Sequence, residues 1–222
     1  VFYCAAPDLE LDDRSYLRAS VRNIRGVLHA ARDADVDRLA VTSCASTVGA
    51  TSTSEPSDED DVYLPGEAAD ERVEAQYAAE LECYREAADG LDLVILNPSI
   101  LLGDGAVLPS RRLLSQLDRD ARIDVVDAAA AARAHLAAVE QFHLGERIVL
   151  GGGHTTVGEL HDALDSVDDQ GHRLWGYRVV VTDAWSDIRN RALYRHGMWL
   201  DASLASRELE FEPSRIRDDD RE

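Results

Sequence analysis

The chain has 222 residues, 45% of them hydrophobic, which is enough to fold as one domain or as one domain with a small lobe. Acidic residues outnumber basic ones 43 to 23, for a formal net charge of −20; such a surface repels phosphate backbones and excludes nucleic acid as a natural partner. The longest apolar runs, such as LDLVILNPSILLG, are broken by Asn and Pro and fall short of a bilayer span. No basic-then-apolar leader opens the chain, so the expectation is a cytoplasmic protein without a membrane segment.

All 23 basic residues are arginine, and the chain has no lysine. An acidic surface stripped of lysine reads as adaptation to molar intracellular salt, where repulsion is screened. The three cysteines, Cys4, Cys44 and Cys83, are widely spaced and odd in number. That points to reduced thiols rather than disulfides, and without a Cys/His cluster no metal site is expected.

In chain order, VFYCAA reads as a short parallel strand, and SYLRASVRNIRGVLHAARDA as a helix with Val21, Ile24, Val27, Leu28 and Ala31 on one face. VDRLAVTS is a second buried strand. It is followed by TSTSEPSDEDDVYLPGE, whose Pro, Ser and acid content reads as an exposed loop. EAADERVEAQYAAELECYREAADG is helical, with an expected stripe of Val73, Tyr77, Leu81, Tyr84 and Ala88, and Gly90 placed to end it. LDLVILNPSILLG then gives a third strand. Alternating strands and helices of this kind predict an α/β fold on a parallel sheet. After Leu108 come an arginine-containing helix, an alanine-rich helix (DAAAAARAHLAAVEQF) and the segment ERIVLGGGHTTVGELHDALDSV, before a charged C-terminal tail expected to fray.

Gly151-x-Gly153-x-x-Thr156 comes close to a phosphate-binding glycine turn. It lies late in the chain, with no βαβ unit or ribose-binding acid after it, and Thr155 or Thr156 has a simpler role as a helix N-cap.

The ordered set VFYCAAP, VRNIRGVLHAAR, VDRLAVTSCASTVG, GLDLVILNPSILLG, ARAHLAAVE, GERIVLGGGHTTVGEL and DASLASRELEFEPS resembles the extended short-chain dehydrogenase/reductases. The likeness is to their NAD-dependent epimerase/dehydratase group, and especially its dihydroflavonol-reductase-like branch. It implies a Rossmann-like parallel sheet that lacks its first strands, so that residues 1–108 form a partial nucleotide-binding domain. Residues 109–222 would form a substrate-side lobe interleaved with the sheet, and the late glycine turn would belong to that lobe. The implied activity is hydride transfer between NAD or NADP and a carbonyl or alcohol carbon of a sugar nucleotide or other substrate. Ala5, Ala6, Thr42, Asn97, Pro98 and Ser99 would lie on the nicotinamide side, while the GxxGxxG turn of the family has no counterpart.

The family's Ser, Tyr and Lys positions fall on Cys44, Arg72 and Gln76. A phenol of pKa about 10 needs a nearby cation to act as a base near neutral pH, and without lysine that pair is lost. Tyr77 lies one residue out of register, within the helix stripe. For Cys44 the readings are a nucleophile, a poor substitute for serine, or a small buried side chain, and the last leads. Asp127 precedes the ARAHL helix, with alanines where further acids of the family would fall. The chain is therefore expected to be an impaired or inactive relative of the epimerases and reductases. One alternative is a non-catalytic module forming homodimers or heterodimers through the family's dimer helices, here 20–34 and 67–88. A further alternative is an enzyme using Arg72 as its cation and Tyr77 or Cys44 for the proton.

Overall fold

The computed structural model describes residues 1–49, 55–61, 63–64, 70–141, 146–164, 167–168, 171–188 and 191–212. The N-terminal part runs β1 (Phe2–Tyr3), α1 (Asp13–Asp33), β2 (Leu39–Thr42), a 3-10 turn (Ala45–Thr47), α2 (Glu71–Ala88) and β3 (Leu93–Pro98). There follow β4 (Ile100–Leu102), β5 (Ala106–Pro109), α3 (Arg111–Leu114), β6 (Arg122–Asp127), α4 (Ala128–Gln141) and β7 (Glu146–Leu150). Last come β8 (Gly153–Thr156), α5 (Val157–Ala163), β9 (Val167–Asp168), β10 (Gly171–Leu174), β11 (Tyr177–Thr182), α6 (Arg191–His196) and α7 (Ser203–Glu208).

The main sheet is parallel, in the order β1-β2-β3-β7. Alternation along its strands divides the core. Leu39, Val41, Leu93 and Ile95 face one side, against Ile24, Leu28 and Ala31 of α1 and Cys83 and Ala87 of α2. Ala40, Val94, Leu96, Ile148 and Leu150 face the other, against Ala130, Ala131, Ala134 and Ala138 of α4 and the residues around α7. Runs that are apolar at every position, such as LVIL, are what a strand covered on both faces requires. The alanine face of α4 lets that helix lie close to the sheet. Two further sheets, β4-β6-β8 and β5-β11-β10-β9, are built largely from the second half of the chain. Because β7 returns to the main sheet, the second half is interleaved with the first.

One local expectation holds: Gly90 follows α2 with φ +99°. Asp12, which the sequence reading did not single out, caps α1 by accepting from the Ser15 N–H. Others are corrected. The expected third strand is two strands in different sheets. Pro98 offers no N–H to continue the ladder, the Ser99 N–H bonds Leu150 O, and Ile100 begins a strand paired with β6. In the expected exposed loop, Ser57 and Tyr63 are buried. Ser57 forms a backbone bridge with Leu200, and the Tyr63 hydroxyl donates to Glu74, long-range pairings that local composition does not register. The arginine-containing helix is a single turn, α3. Residues 213–222, the expected frayed tail, lie outside the described residues.

The most consequential correction concerns α2. Its buried positions include Arg72, Val73, Ala75, Glu80, Cys83 and Ala87, whereas Leu81 and Ala88 of the expected stripe are exposed. The inward row Arg72, Gln76, Glu80, Cys83, Ala87 has the same spacing as the expected stripe, turned by one residue. Hydrophobicity alone favours the tyrosines, but polar groups of the neighbouring strands claim the other row.

The N-terminus of α2 is fixed by Asp70. Its carboxylate accepts from the Arg72 N–H and is gripped by Arg191 Nε at 2.5 Å and Nη2 at 3.2 Å. Burial pushes the Asp70 carboxyl up, but the hydrogen bonds from Arg191 and Arg72 and the nearby arginine charges outweigh it, leaving it below its ordinary value. Asp70→Ala, which strands the Arg191 charge, is expected to cost about 3–5 kcal/mol in urea unfolding at pH 7. Since the folded-state pKa is depressed, that contribution is present above the unfolded carboxyl's value of about 3.9 and is lost as pH falls below it. Wild type and variant should therefore converge in acid.

Candidate functional site

Ligands of open parallel sheets bind beyond the carboxyl ends of the strands. Here β1, β2 and β3 end together, and α2 passes over them. Between them lies a cavity of about 40 Å³ lined by Ala5, Ala6, Thr42, Ser43, Gln76 and Glu80, closed on one side by Tyr16. The structure thus gathers four of the expected site residues, Ala5, Ala6, Thr42 and Gln76. Ala5 and Ala6 are exposed and contribute no bulk.

Beneath the cavity is a buried polar layer. Glu80, 1% exposed, accepts at Oε1 from Thr47 Oγ1 at 2.6 Å and from Asn97 Nδ2 at 2.8 Å. Asn97 also donates to the Cys44 carbonyl at 3.1 Å. Burial raises the Glu80 pKa, against the opposing effects of the Ser43, Thr47 and Asn97 groups around it. Ser43 Oγ and Glu80 Oε2 are both buried, and neither completes a hydrogen bond among the described residues. The expected cofactor residues Asn97, Pro98 and Ser99 are in this layer and do not line the cavity; Asn97 Oδ1 and Ser99 Oγ are also without a partner there.

Cys44 is 1% exposed and packs in the core with Val48, Ile100 and Leu102. Burial pushes its thiol up to about 11 although the Ser46 hydroxyl donates to the sulfur at 3.1 Å. A thiol that is neutral at physiological pH and sealed from solvent suits a packing role.

Arg72 is inward-facing and 6% exposed. Its Nη2 donates to Leu9 O at 2.8 Å and its Nη1 to Ser186 O at 3.0 Å, while its guanidinium lies 5.2 Å from the centre of the Tyr16 ring. Tyr16 lines the small cavity. Leu9 lines a second one of about 450 Å³, with Ile100, Gly103, Val107, Ile188 and Tyr194. Arg72 therefore bridges the walls of both. Tyr77 stands elsewhere, its ring 5.0 Å from that of Tyr63 and packed with Val73 and Ala192, and it lines neither cavity. An arrangement in which Tyr77 hands a proton across the site beside Arg72 is not what the geometry provides.

The late glycine turn holds a carboxylate. The Gly152 N–H donates to Asp124 Oδ1 at 2.6 Å, and a Cβ at Gly151 would lie 2.8 Å from the same oxygen. Thr156 caps α5 in a reciprocal pair with Glu159. Among the described residues there is no metal-binding group of His, Cys, Asp and Glu side chains.

Sequence reasoning passed over Glu80. The available signal was an acid in AAELECY four residues after Gln76, a helical turn that carries it to the same face. Glu80→Gln keeps the acceptor for Thr47 and Asn97 and offers its amide to Ser43, so its stability should stay within about 1 kcal/mol of wild type or improve. Glu80→Ala removes one acceptor from Thr47 and Asn97, which keep the Cys44 carbonyl, and opens a buried gap, so it should cost about 1–3 kcal/mol. A raised folded-state pKa means that stability from Glu80 is fully present below the unfolded value and lost as pH rises through the folded one. Thermal melts from pH 5 to 8 should therefore show Glu80→Gln gaining on wild type toward the alkaline end.

No family model matches the chain, and no curated protein matches it either. Solved structures do. The protein gox2253 superposes with a TM-score of 0.73 at 21% identity, over 98% of this chain and 74% of that one. UDP-glucose 4-epimerase from Thermotoga maritima, solved with UDP-glucose, gives 0.70 at 20% identity, over 96% and 72%. dTDP-glucose 4,6-dehydratase from Bacillus anthracis, solved with NAD, gives 0.68 at 12% identity, over 96% and 67%. Likeness at these identities establishes the fold, an α/β Rossmann-like architecture on a parallel sheet.

Proposed function

We propose that the chain is an NAD- or NADP-binding relative of the epimerase/dehydratase enzymes, with its proton-transfer chemistry impaired. The observation that carries this reading is the meeting of Ala5, Ala6, Thr42 and Gln76 in one cavity at the carboxyl ends of β1 and β2. Structural neighbours solved with NAD and with UDP-glucose support it.

The residues fit the nicotinamide end of such a cofactor. Ala5 and Ala6, both exposed, leave the mouth of the cavity open to a ring edge. The stretch between β1 and α1, residues 4–12, contains no glycine and offers no pyrophosphate cradle. When bound, the cofactor supplies or receives the hydride. This chain would position it through Thr42 and Ser43, with the substrate in the larger cavity beyond Arg72.

The proton is the difficulty. Arginine cannot act as a base, an amide such as Gln76 cannot either, and the Cys44 thiol is buried and raised. The reaction class is oxidation or reduction at an alcohol or carbonyl carbon, proceeding slowly or not at all. The lysine-free acidic surface and the free cysteines suit a reducing, salt-rich cytoplasm.

A second reading, a dimerising module, rests on a separate observation. Leu17 of α1 is 37% exposed and Leu81 of α2 is 45% exposed, and a surface hollow is lined by Leu17, Val21 and Ala78 together with Arg18, Arg22 and Arg25. A homodimer or a heterodimer with an active relative would cover that face.

NADH and NADPH titrated into the folded chain in molar KCl, followed by nicotinamide fluorescence and thermal shift, test the first reading. Binding should raise stability by about 2.7 kcal/mol at a hundredfold excess over Kd, without turnover. A folded chain unmoved by millimolar cofactor overturns cofactor binding, and sedimentation then tests the dimer.

A further inference from the structure

The larger cavity, about 450 Å³, has the size of a small-molecule site and the walls of an apolar one. Ile100, Leu102 and Ile188 on its walls belong to the buried core. Leu101 and Val107 also line it and are 39% and 45% exposed. Val107 stands in register with Val180 of β11, itself 53% exposed. An apolar surface therefore runs from the interior out onto the β5–β11 pair, on a chain with 43 acidic residues.

The charge lining the cavity has one sign. Asp104 and Asp187, both exposed, line it, and among the described residues no arginine or histidine does. Neutral donors hold each carboxylate in place. Asp104 Oδ1 accepts from the Arg178 backbone N–H at 2.9 Å, and Asp187 accepts from Thr182 Oγ1 at 2.7 Å and Ser186 Oγ at 3.2 Å. Neither carboxylate has an ion-pair partner among the described residues. Arg72, which borders the cavity through Leu9, spends its guanidinium on the Leu9 and Ser186 carbonyls and the Tyr16 ring. Tyr194 supplies the polar group of the interior. It lines the cavity, is 1% exposed, and burial alone pushes its phenol up, with no hydrogen bond opposing. A neutral phenol can donate to a carbonyl or alcohol oxygen.

We propose that this cavity takes a small, largely apolar carbonyl or alcohol compound that carries an amine, and that it rejects nucleoside diphosphate sugars. The apolar body would cover Ile100, Leu102 and Val107, the oxygen would accept from Tyr194, and the ammonium would lie against Asp104 or Asp187. A diphosphate would meet two carboxylates and no cation there, in the field of a chain whose net charge is −20. That the ligand is a substrate, and so presents a carbonyl or alcohol, rests on the cofactor reading above. Its apolar body and positive charge do not.

The test is calorimetric titration of the full chain without cofactor, at one KCl concentration that keeps it folded. The probes are para-acetylbenzylamine, para-acetylbenzyl alcohol and para-acetylbenzoate, alike in body and different in charge, with UDP-glucose as a fourth. The amine should bind about fivefold or more tighter than the alcohol, the scale of a favourable exposed ion pair. The benzoate should bind more weakly than either, and UDP-glucose should give no binding heat. The double variant Asp104→Asn/Asp187→Asn keeps the acceptors and should bring amine and alcohol within about twofold of each other. An amine bound no tighter than the alcohol, UDP-glucose bound as tightly as the amine, or a folded double variant that keeps the amine preference overturns the proposal. Should the double variant fail to fold, the order of the four probes on the wild-type chain decides. NADH and NADPH, titrated separately, keep the two readings apart. Probes bound in the expected order by a chain blind to both cofactors sink the enzyme reading and leave the ligand's charge and polarity standing. A chain that binds cofactor and shows no such order loses the ligand class alone.

Discussion

One buried carboxyl group organises the region where the parallel strands end. Glu80 joins α2 to the turn after β2 through Thr47 and to β3 through Asn97, and the same asparagine holds the Cys44 carbonyl. A carboxyl taken out of water must be hydrogen-bonded or neutral, and a misplaced helix would leave it neither way. The helix is therefore pinned in rotation as well as position. With Glu80 inward, Gln76 and Arg72 follow on the same face one and two turns earlier, and Tyr77 is turned away toward Tyr63. The make-up of the candidate site is a consequence of where that one acid must go.

That dependence explains what could be read from the amino acids and what could not. The layered α/β architecture was legible because buried parallel strands such as LVIL are apolar throughout and α1 carries its apolar residues at helical spacing. Gly90 and the Thr156 cap were legible because they act within a few residues of themselves. The rotation of α2 was not. Its apolar residues are divided between two faces, and the deciding interactions come from Thr47 and Asn97, distant in sequence. Ser57 and Tyr63 were misplaced for the same reason: an acidic, Pro- and Ser-containing stretch gives no sign of a backbone bridge to Leu200. Within the site, the positions of Ala5, Ala6, Thr42 and Gln76 were approached by resemblance, while Asn97 was placed one layer too near the surface because its amide is consumed from below.

Arg72 shows how one guanidinium ties together segments far apart in the chain. A guanidinium can satisfy several carbonyl oxygens at once, and this one meets those of Leu9 and Ser186 while lying on Tyr16. What it cannot do is accept a proton. The side chain serves as a cross-brace between the walls of the two cavities.

That brace has a kinetic meaning. Leu9 and Ser186 are 63 and 114 residues from Arg72 along the chain, and each bond closes a long loop whose entropy must be lost before the contact is gained. Pairing of β1 with β2 and of β2 with β3 closes shorter loops, with partners such as Phe2 and Ala40 or Leu39 and Leu93. The wall that Arg72 makes between the two cavities depends on the segment around Ser186 being in place. Release of that segment would free one end of the guanidinium and loosen the wall between the cavities while the pairing of the parallel sheet stays intact.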